Sequence, residues 1–86
     1  MLRVVRFSAV WCGPCRTMAP VWNQVAIEYD DVTFEEVDID EDAKTPAEFK
    51  VTAIPTIVFV QGKKEVGRIV GMVGSAELRD KIDELR

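Results

Sequence analysis

The sequence lacks histidine and has only two cysteines, which limits the metal chemistry open to it. A zinc site in a protein takes about four ligands, drawn mainly from cysteine and histidine. Two cysteines without histidine do not complete such a set within one chain, so we expect no metal site. In a reducing compartment a pair of cysteines is more often redox-active or metal-binding than structural. Redox use is therefore the leading interpretation.

Positive charge and long apolar runs are also scarce. Eleven lysines and arginines face 15 acidic residues, for a net charge of −4. This balance provides no basic field for nucleic acid or anionic lipid, so we expect neither as a partner. No segment approaches the roughly 20 apolar residues of a membrane span. Arg3 and Arg6 interrupt the only early apolar run, which argues against a signal peptide. These features predict a soluble, cytoplasmic protein, and we expect it to be a monomer.

The rest of the composition is that of an ordinary globular protein. Of the 86 residues, 48% are apolar and 30% are charged, which argues against disorder. A chain of this length can bury one core and is too short for two. We therefore predict a single domain over residues 1–86.

The first half of the chain reads as strand, helix and strand. Residues 2–7 are apolar on both faces, as in an interior strand, although Arg6 breaks the run. Apolar residues then recur at spacings of three and four, which predicts a helix over about 14–29. Residues 33–40 alternate as a half-buried strand does. A strand, helix and strand in this order predict a right-handed parallel crossover.

The second half predicts a short helix, a hairpin and a final helix. Residues 45–48 read Thr-Pro-Ala-Glu, a capping box with proline at the first helical position. Residues 57–60 and 65–70 form two strands around a Gly-containing turn. Ser75 can cap the last helix. The predicted fold is α/β, with the order β-α-β-α-β-β-α and a mixed four-stranded sheet with helices on both faces.

The sequence Trp11-Cys12-Gly13-Pro14-Cys15 carries the chemistry. Two thiols separated by two residues can close a small disulfide ring at the first turn of a helix, where Gly13 and Pro14 set the tight backbone. The positive end of the helix dipole lowers the pKa of a thiol placed there, which makes Cys12 the candidate nucleophile. Cys15 lies one turn further along and would be shielded and react second.

Three motifs together resemble the thioredoxin family. They are Trp-Cys-Gly-Pro-Cys after an interior strand, Ile54-Pro55-Thr56 before the hairpin, and Gly71 after it. The resemblance covers nearly the whole chain, whose size is similar to that of the short archaeal and phage members. It implies a thioredoxin-like fold and a thiol–disulfide oxidoreductase that reduces protein disulfides. The implied cycle needs no cofactor beyond the disulfide.

The resemblance also implies roles for individual residues. Cys12 would attack the substrate disulfide, Cys15 would resolve the mixed disulfide, and the Ile54-Pro55 bond would be cis. The active-site motif and substrate groove would comprise Trp11, Gly13, Pro14, Ala53, Ile54, Pro55, Val70 and Gly71. Implied partners are proteins that contain disulfides and an electron donor similar to thioredoxin reductase. The couple should be reducing, nearer roughly −270 mV than about −120 mV.

The chain departs from the family pattern on two neighbouring strands. Thioredoxins commonly have a buried aspartate where this chain has Arg6, and a lysine where it has Glu36. We interpret Arg6 and Glu36 as a half-buried ion pair with exchanged charges, because either charge buried alone costs several kcal/mol. The pair is a candidate for proton transfer or for tuning the cysteines. Ser8 stands where a tryptophan is common beneath the site, which should loosen or hydrate that region.

Two rival functions remain open at this stage. The size of the chain also fits a glutaredoxin-like reductase of glutathione mixed disulfides, although the Trp-Cys-Gly-Pro-Cys motif disfavours it. The chain could also be a thioredoxin-fold binding module whose thiols are incidental.

Overall fold

The computed structural model describes all residues from 1 to 86. The strands and helices follow in the predicted order: β1 (Leu2–Ser8), α1 (Gly13–Ala26), β2 (Val32–Asp38), α2 (Lys44–Glu48), β3 (Thr56–Gln61), β4 (Lys64–Val70) and α3 (Ser75–Leu85). The two halves are thus a crossover unit followed by a hairpin and a helix.

The four strands form one mixed sheet in the order β2-β1-β3-β4. β1 pairs parallel with β2 and antiparallel with β3, and β3 pairs antiparallel with β4. β1 is therefore an interior strand, as its apolar residues on both faces predict. Its C-terminal end, Ser8, lies in the middle of the sheet edge from which the chain enters α1.

Helices cover both faces of the sheet, which confirms the predicted architecture. Leu2 and Val4 of β1 share a buried cluster with residues of α1 and α3. Val5 and Phe7 point to the opposite face, where residues around α2 pack on them. Trp22 lies on the apolar side of α1 and is only 2% exposed, so it belongs to the core.

Helix α1 ends earlier than the periodicity predicts. It stops at Ala26, and the backbone N–H of Glu28 donates to the carbonyl of Val25 in a tight turn. Tyr29 nevertheless packs against the core from the following loop, and its hydroxyl donates to Asp83. The spacing of Tyr29 from the apolar residues of α1 therefore reflects its packing against the core and does not mean that the helix extends to it. Pro20 lies inside α1, which continues through it.

The predicted capping box at α2 is wrong, because Asp42 takes the capping part. Its carboxylate accepts the backbone N–H groups of Lys44 and Thr45, each at 3.0 Å, and the Thr45 hydroxyl at 2.6 Å. These hydrogen bonds, the one from the Thr45 hydroxyl above all, lower the pKa of Asp42. At α3 the N-cap residue is Gly74 instead of Ser75, with no side-chain cap. The N-cap of α2 is Ala43, two residues before the predicted Thr45, and the N-cap of α3 lies one residue before the predicted Ser75.

Leu78 tests the packing of α3 against the sheet. Its side chain is fully buried in the cluster shared with α1, so Leu78→Ala should cost about 2–5 kcal/mol of unfolding free energy. Urea denaturation measures the loss. Glu77→Ala is the matched control, because Glu77 is exposed on the same helix and its replacement should change stability by less than about 0.5 kcal/mol. Equal effects of the two substitutions would contradict this packing.

Asp42 gives a prediction about pH. Its pKa in the folded chain lies below the ordinary value of 3.8, so its contribution is fully present above that value. The contribution is lost as the pH falls through the lowered pKa. Asp42→Asn should therefore be less stable than the parent near neutral pH, and the gap should close in acid. Urea midpoints measured across that range check it, with the exposed Asp80→Asn as control.

Candidate active site

The two cysteines form a disulfide at the start of α1. Cys12 is the N-cap residue with an extended backbone, and Cys15 lies in the first turn, with 5.3 Å between their Cα atoms. The backbone N–H of Cys15 donates to Cys12 Sγ at 3.2 Å. Pro14 occupies an early helical position, where its missing N–H leaves no bond unmade. The local sequence thus directs a backbone N–H that has no partner within the helix toward Cys12 Sγ.

The two cysteines are almost equally buried. Cys12 is 5% exposed and Cys15 is 3% exposed, and both pack with Ala9 in a small cluster bordered by Ile39 and Ile54. Exposure therefore does not separate the two sulfurs, contrary to the expectation that Cys15 alone is shielded. Position separates them, because only Cys12 lies at the N-cap, where the helix dipole favours negative charge most. No acidic side chain in the first turn opposes this effect.

Arg6 lies directly beneath the first turn of α1. Its Nη1 donates to the carbonyl oxygen of Cys15 at 3.4 Å, and its guanidinium carbon is 5.3 Å from the centre of the Trp22 ring. The Nε atom of Arg6 is buried and has no hydrogen-bond partner. A positive charge is thus held in the core, in contact with the backbone of the second cysteine.

Glu36 is the counter-charge of Arg6. The two residues are direct register partners on β1 and β2, and Arg6 Nη2 pairs with Glu36 Oε1. The pair is uneven, because the Arg6 side chain is 7% exposed whereas that of Glu36 is 53% exposed. The sequence predicted that the two charges lie on the same face of the sheet, and the register places them there. It did not predict that the cation is the inner partner.

A cavity of about 440 Å³ opens beside this pair; we call it the rear cavity. Its lining includes Arg6, Ser8, Cys15, Glu36 and Asp38. Ser8 thus occupies the space beneath the site with a small polar side chain. Cys15 and Glu36 border one solvent-accessible space, which leaves room for water between them.

A second cavity, of about 460 Å³, lies near Trp11 and is mostly apolar; we call it the α2 groove. It brings together three residues predicted for the substrate groove, Trp11, Ala53 and Ile54, with Ile39 and with Pro46 and Ala47 of α2. Trp11 is 64% exposed, and its Nε1 donates to Asp40 at 2.7 Å, which holds the indole at the rim.

The remaining predicted groove residues lie outside the α2 groove. The Ile54-Pro55 peptide bond is cis, and the carbonyl of Pro55 accepts the backbone N–H of Gly71 at 2.8 Å. Gly71 has a φ of +94°, which a side chain would strain, and Val70 is 60% exposed. This hydrogen bond joins the segment before β3 to the end of β4. Gly13 and Pro14 are exposed at the start of α1.

Sequence reasoning missed the contribution of α2 to the site. Ala43, Pro46 and Ala47 line the α2 groove, together with Ile39 and Val51. The signal was present, since small and apolar residues on a short helix after an acidic loop indicate a packed or binding surface.

No group of three or more histidine, cysteine, aspartate or glutamate side chains is arranged to hold a metal ion. None of the helices combines the length and the apolar character that crossing a bilayer requires.

Nearly the whole length of the chain matches known proteins. The thioredoxin family profile matches residues 1–84. The chain is 47% identical over 85 residues to "Thioredoxin H2-1" of Oryza sativa subsp. japonica, with 99% of this chain and 61% of the relative covered. It is 46% identical over 85 residues to "Thioredoxin H2" of Arabidopsis thaliana, with 99% of this chain and 63% of that relative covered. The chain thus spans about three fifths of the length of these relatives.

Solved structures show the same fold. Thioredoxin NaTrxh from Nicotiana alata matches with a TM-score of 0.94 and 45% identity, over 99% of this chain and 73% of that one. Fasciola hepatica thioredoxin matches with a TM-score of 0.93 and 42% identity, over 99% and 81%. With this fold, a Cys-Gly-Pro-Cys disulfide at a helix start and a family profile over residues 1–84, the chain belongs to the thioredoxin family.

Proposed function

We propose that the chain is a protein-disulfide reductase that works by dithiol exchange through Cys12 and Cys15. The observation that carries the proposal is the disulfide at the N-terminus of α1, with Cys12 as N-cap and its sulfur accepting a backbone N–H. An inert structural clip is the weaker interpretation, because a loop this short adds only roughly 2 kcal/mol to stability. Membership of the thioredoxin family supports the same activity.

The proposed cycle involves only sulfur atoms and protons. In the reduced chain, the Cys12 thiolate attacks one sulfur of a partner disulfide, whose other sulfur leaves as a thiolate. Cys15, once deprotonated, attacks Cys12 Sγ in the resulting mixed disulfide. The second partner sulfur then leaves, and the Cys12–Cys15 bond forms. Two electrons pass to the partner, and no cofactor takes part.

The substrate pairs with the backbone beside Pro55 in an extended conformation. Ile54 lies outside the strands, and its backbone makes none of the turn, loop or cap hydrogen bonds of the chain. Its polar groups are therefore available to a short segment of a partner, a limited form of strand addition. Exposed Trp11 and Val70 supply apolar contacts on either side.

Glu36 accepts the proton of Cys15 through water in the rear cavity, with Arg6 as its counter-charge. Both Glu36 and Cys15 line that cavity, and a general base needs to lie within one water of the proton it takes. The exposed half of Glu36 can then pass the proton to solvent. This part of the proposal assigns a chemical role to the uneven ion pair.

The partners proposed are proteins with accessible disulfides and an electron donor similar to thioredoxin reductase. We propose that the chain works as a monomer. The cytoplasm suits this role, because that compartment keeps thiols reduced.

Cys12→Ser and Cys15→Ser test the assigned roles. Reduction of insulin disulfides by the reduced chain should be abolished in Cys12→Ser, because the nucleophile is lost. Cys15→Ser should instead accumulate a mixed disulfide with the substrate, because Cys12 attacks but nothing resolves the product. Dithiothreitol should cleave this adduct. Non-reducing electrophoresis detects that adduct.

Other outcomes would support a rival function. Activity confined to glutathione mixed disulfides would indicate a glutaredoxin-like enzyme. Partner binding that survives replacement of both cysteines, without any insulin reduction, would indicate a binding module. Full insulin reduction by Cys12→Ser would contradict the assigned nucleophile.

Glu36→Gln tests the proton acceptor. Removing the carboxylate should slow resolution of the mixed disulfide by about 10²-fold, at the low end of the range for a lost general base, since water can partly replace it. Initial attack by Cys12 should change much less. Rapid-quench kinetics resolve the two steps. Glu35→Gln is the matched control, because Glu35 lies next along β2, pairs with Arg3 and does not line the rear cavity. If both steps keep the parent rate in Glu36→Gln, the residue has only a structural role.

A further inference from the structure

The Arg6–Glu36 pair has a defined direction relative to the cysteines. Its cation is the inner partner, at 7% exposure and in contact with the Cys15 carbonyl, and its anion is the outer partner, at 53% exposure. Solvent screens the outer charge far more than the inner one. Such a pair therefore presents its positive end to the first turn of α1, which carries the two cysteines, although its formal charges cancel.

Such a positive end acts differently on the two redox states. The disulfide carries no charge, whereas the reduced pair carries a thiolate near neutral pH at a helix N-terminus. A nearby cation stabilises the state that contains the anion. The buried Nε of Arg6, which has no hydrogen-bond partner, shows that the oxidised chain does not fully satisfy this guanidinium.

Resting on the proposed function, we propose that the direction of the Arg6–Glu36 pair sets the redox equilibrium of the active site, holding it toward the dithiol. Arg6 is a positioning residue that acts on the sulfurs by its charge, and Glu36 moderates it from the solvent side. The chain is then a weaker reductant than its sulfurs would be without Arg6.

The test is the equilibrium with glutathione, in which the chain disulfide and two glutathione thiols exchange with the chain dithiol and glutathione disulfide. Arg6→Met should lower the equilibrium constant for reduction of the chain about tenfold, or about 30 mV for this two-electron couple. Glu36→Gln should raise it about threefold. The exchanged pair R6E/E36R should lower it further than Arg6→Met, because it turns a negative end inward.

The matched control is R3E/E35R, an exchange of the other pair that joins β1 and β2. Arg3 and Glu35 pair at 2.7 Å, and neither lines the rear cavity, so this exchange should leave the equilibrium constant unchanged. Opposite signs for Arg6→Met and Glu36→Gln support the proposal, since a general disturbance of the fold would move both in one direction. Circular dichroism verifies folding.

Several outcomes would overturn the inference. Changes of the same sign in Arg6→Met and Glu36→Gln, or parent values in both, would do so. If the Arg6 variants do not fold, Glu36→Gln decides alone, and a constant at or below the parent value refutes the proposal. Failure of the unmodified chain to exchange with glutathione or to reduce insulin would instead refute the proposed function, which distinguishes the two.

Discussion

The confinement of β1 between β2 and β3, under helices on both faces, is the constraint on which the active site depends. Because β1 is paired on both edges and covered on both faces, its direction and its C-terminal end are fixed. The turn after Ser8 therefore places Cys12 at a defined position. Helix α1 then packs Met18 and Trp22 onto the same sheet, which fixes its axis. The position of the sulfurs is thus set by apolar packing well away from them.

The same confinement explains why the ion pair is uneven. Arg6 lies on an interior strand beneath α1, where little of its side chain is exposed, while Glu36 lies on the edge strand β2. Burying a guanidinium costs several kcal/mol unless it is paired and hydrogen-bonded. Glu36, the Cys15 carbonyl and the face of Trp22 together offset that cost. The inward cation is therefore a consequence of strand order, and exchanging the two residues would reverse the direction of the charge.

The strands and helices, their order and the position of the two cysteines at the start of a helix could be predicted from the sequence, because each has a local signal. Alternation marks β2, and the spacing of Met18, Trp22 and Val25 marks α1. The predicted end of α1 is wrong because Tyr29 packs against the core from the loop after the helix, so its spacing from the helical residues reflects packing and not helical structure. The α2 groove and the rear cavity could not be predicted, since each is formed by residues far apart in the chain. Strand pairing of Arg6 with Glu36 was inferred from family positions, but unequal burial depends on which strand is at the edge.

The two cavities differ in character, and the proposed function gives them different roles. The α2 groove is mostly apolar, whereas the rear cavity holds Arg6, Glu36 and Asp38. Trp11 and Ile54 do not line the rear cavity, so under the proposed function a partner that contacts them leaves that cavity open for proton transfer. Under the proposed function, changes in the groove should alter which partner docks, and changes in the rear cavity should alter the direction and rate of exchange. No residue lines both cavities, so the two sets can be substituted separately.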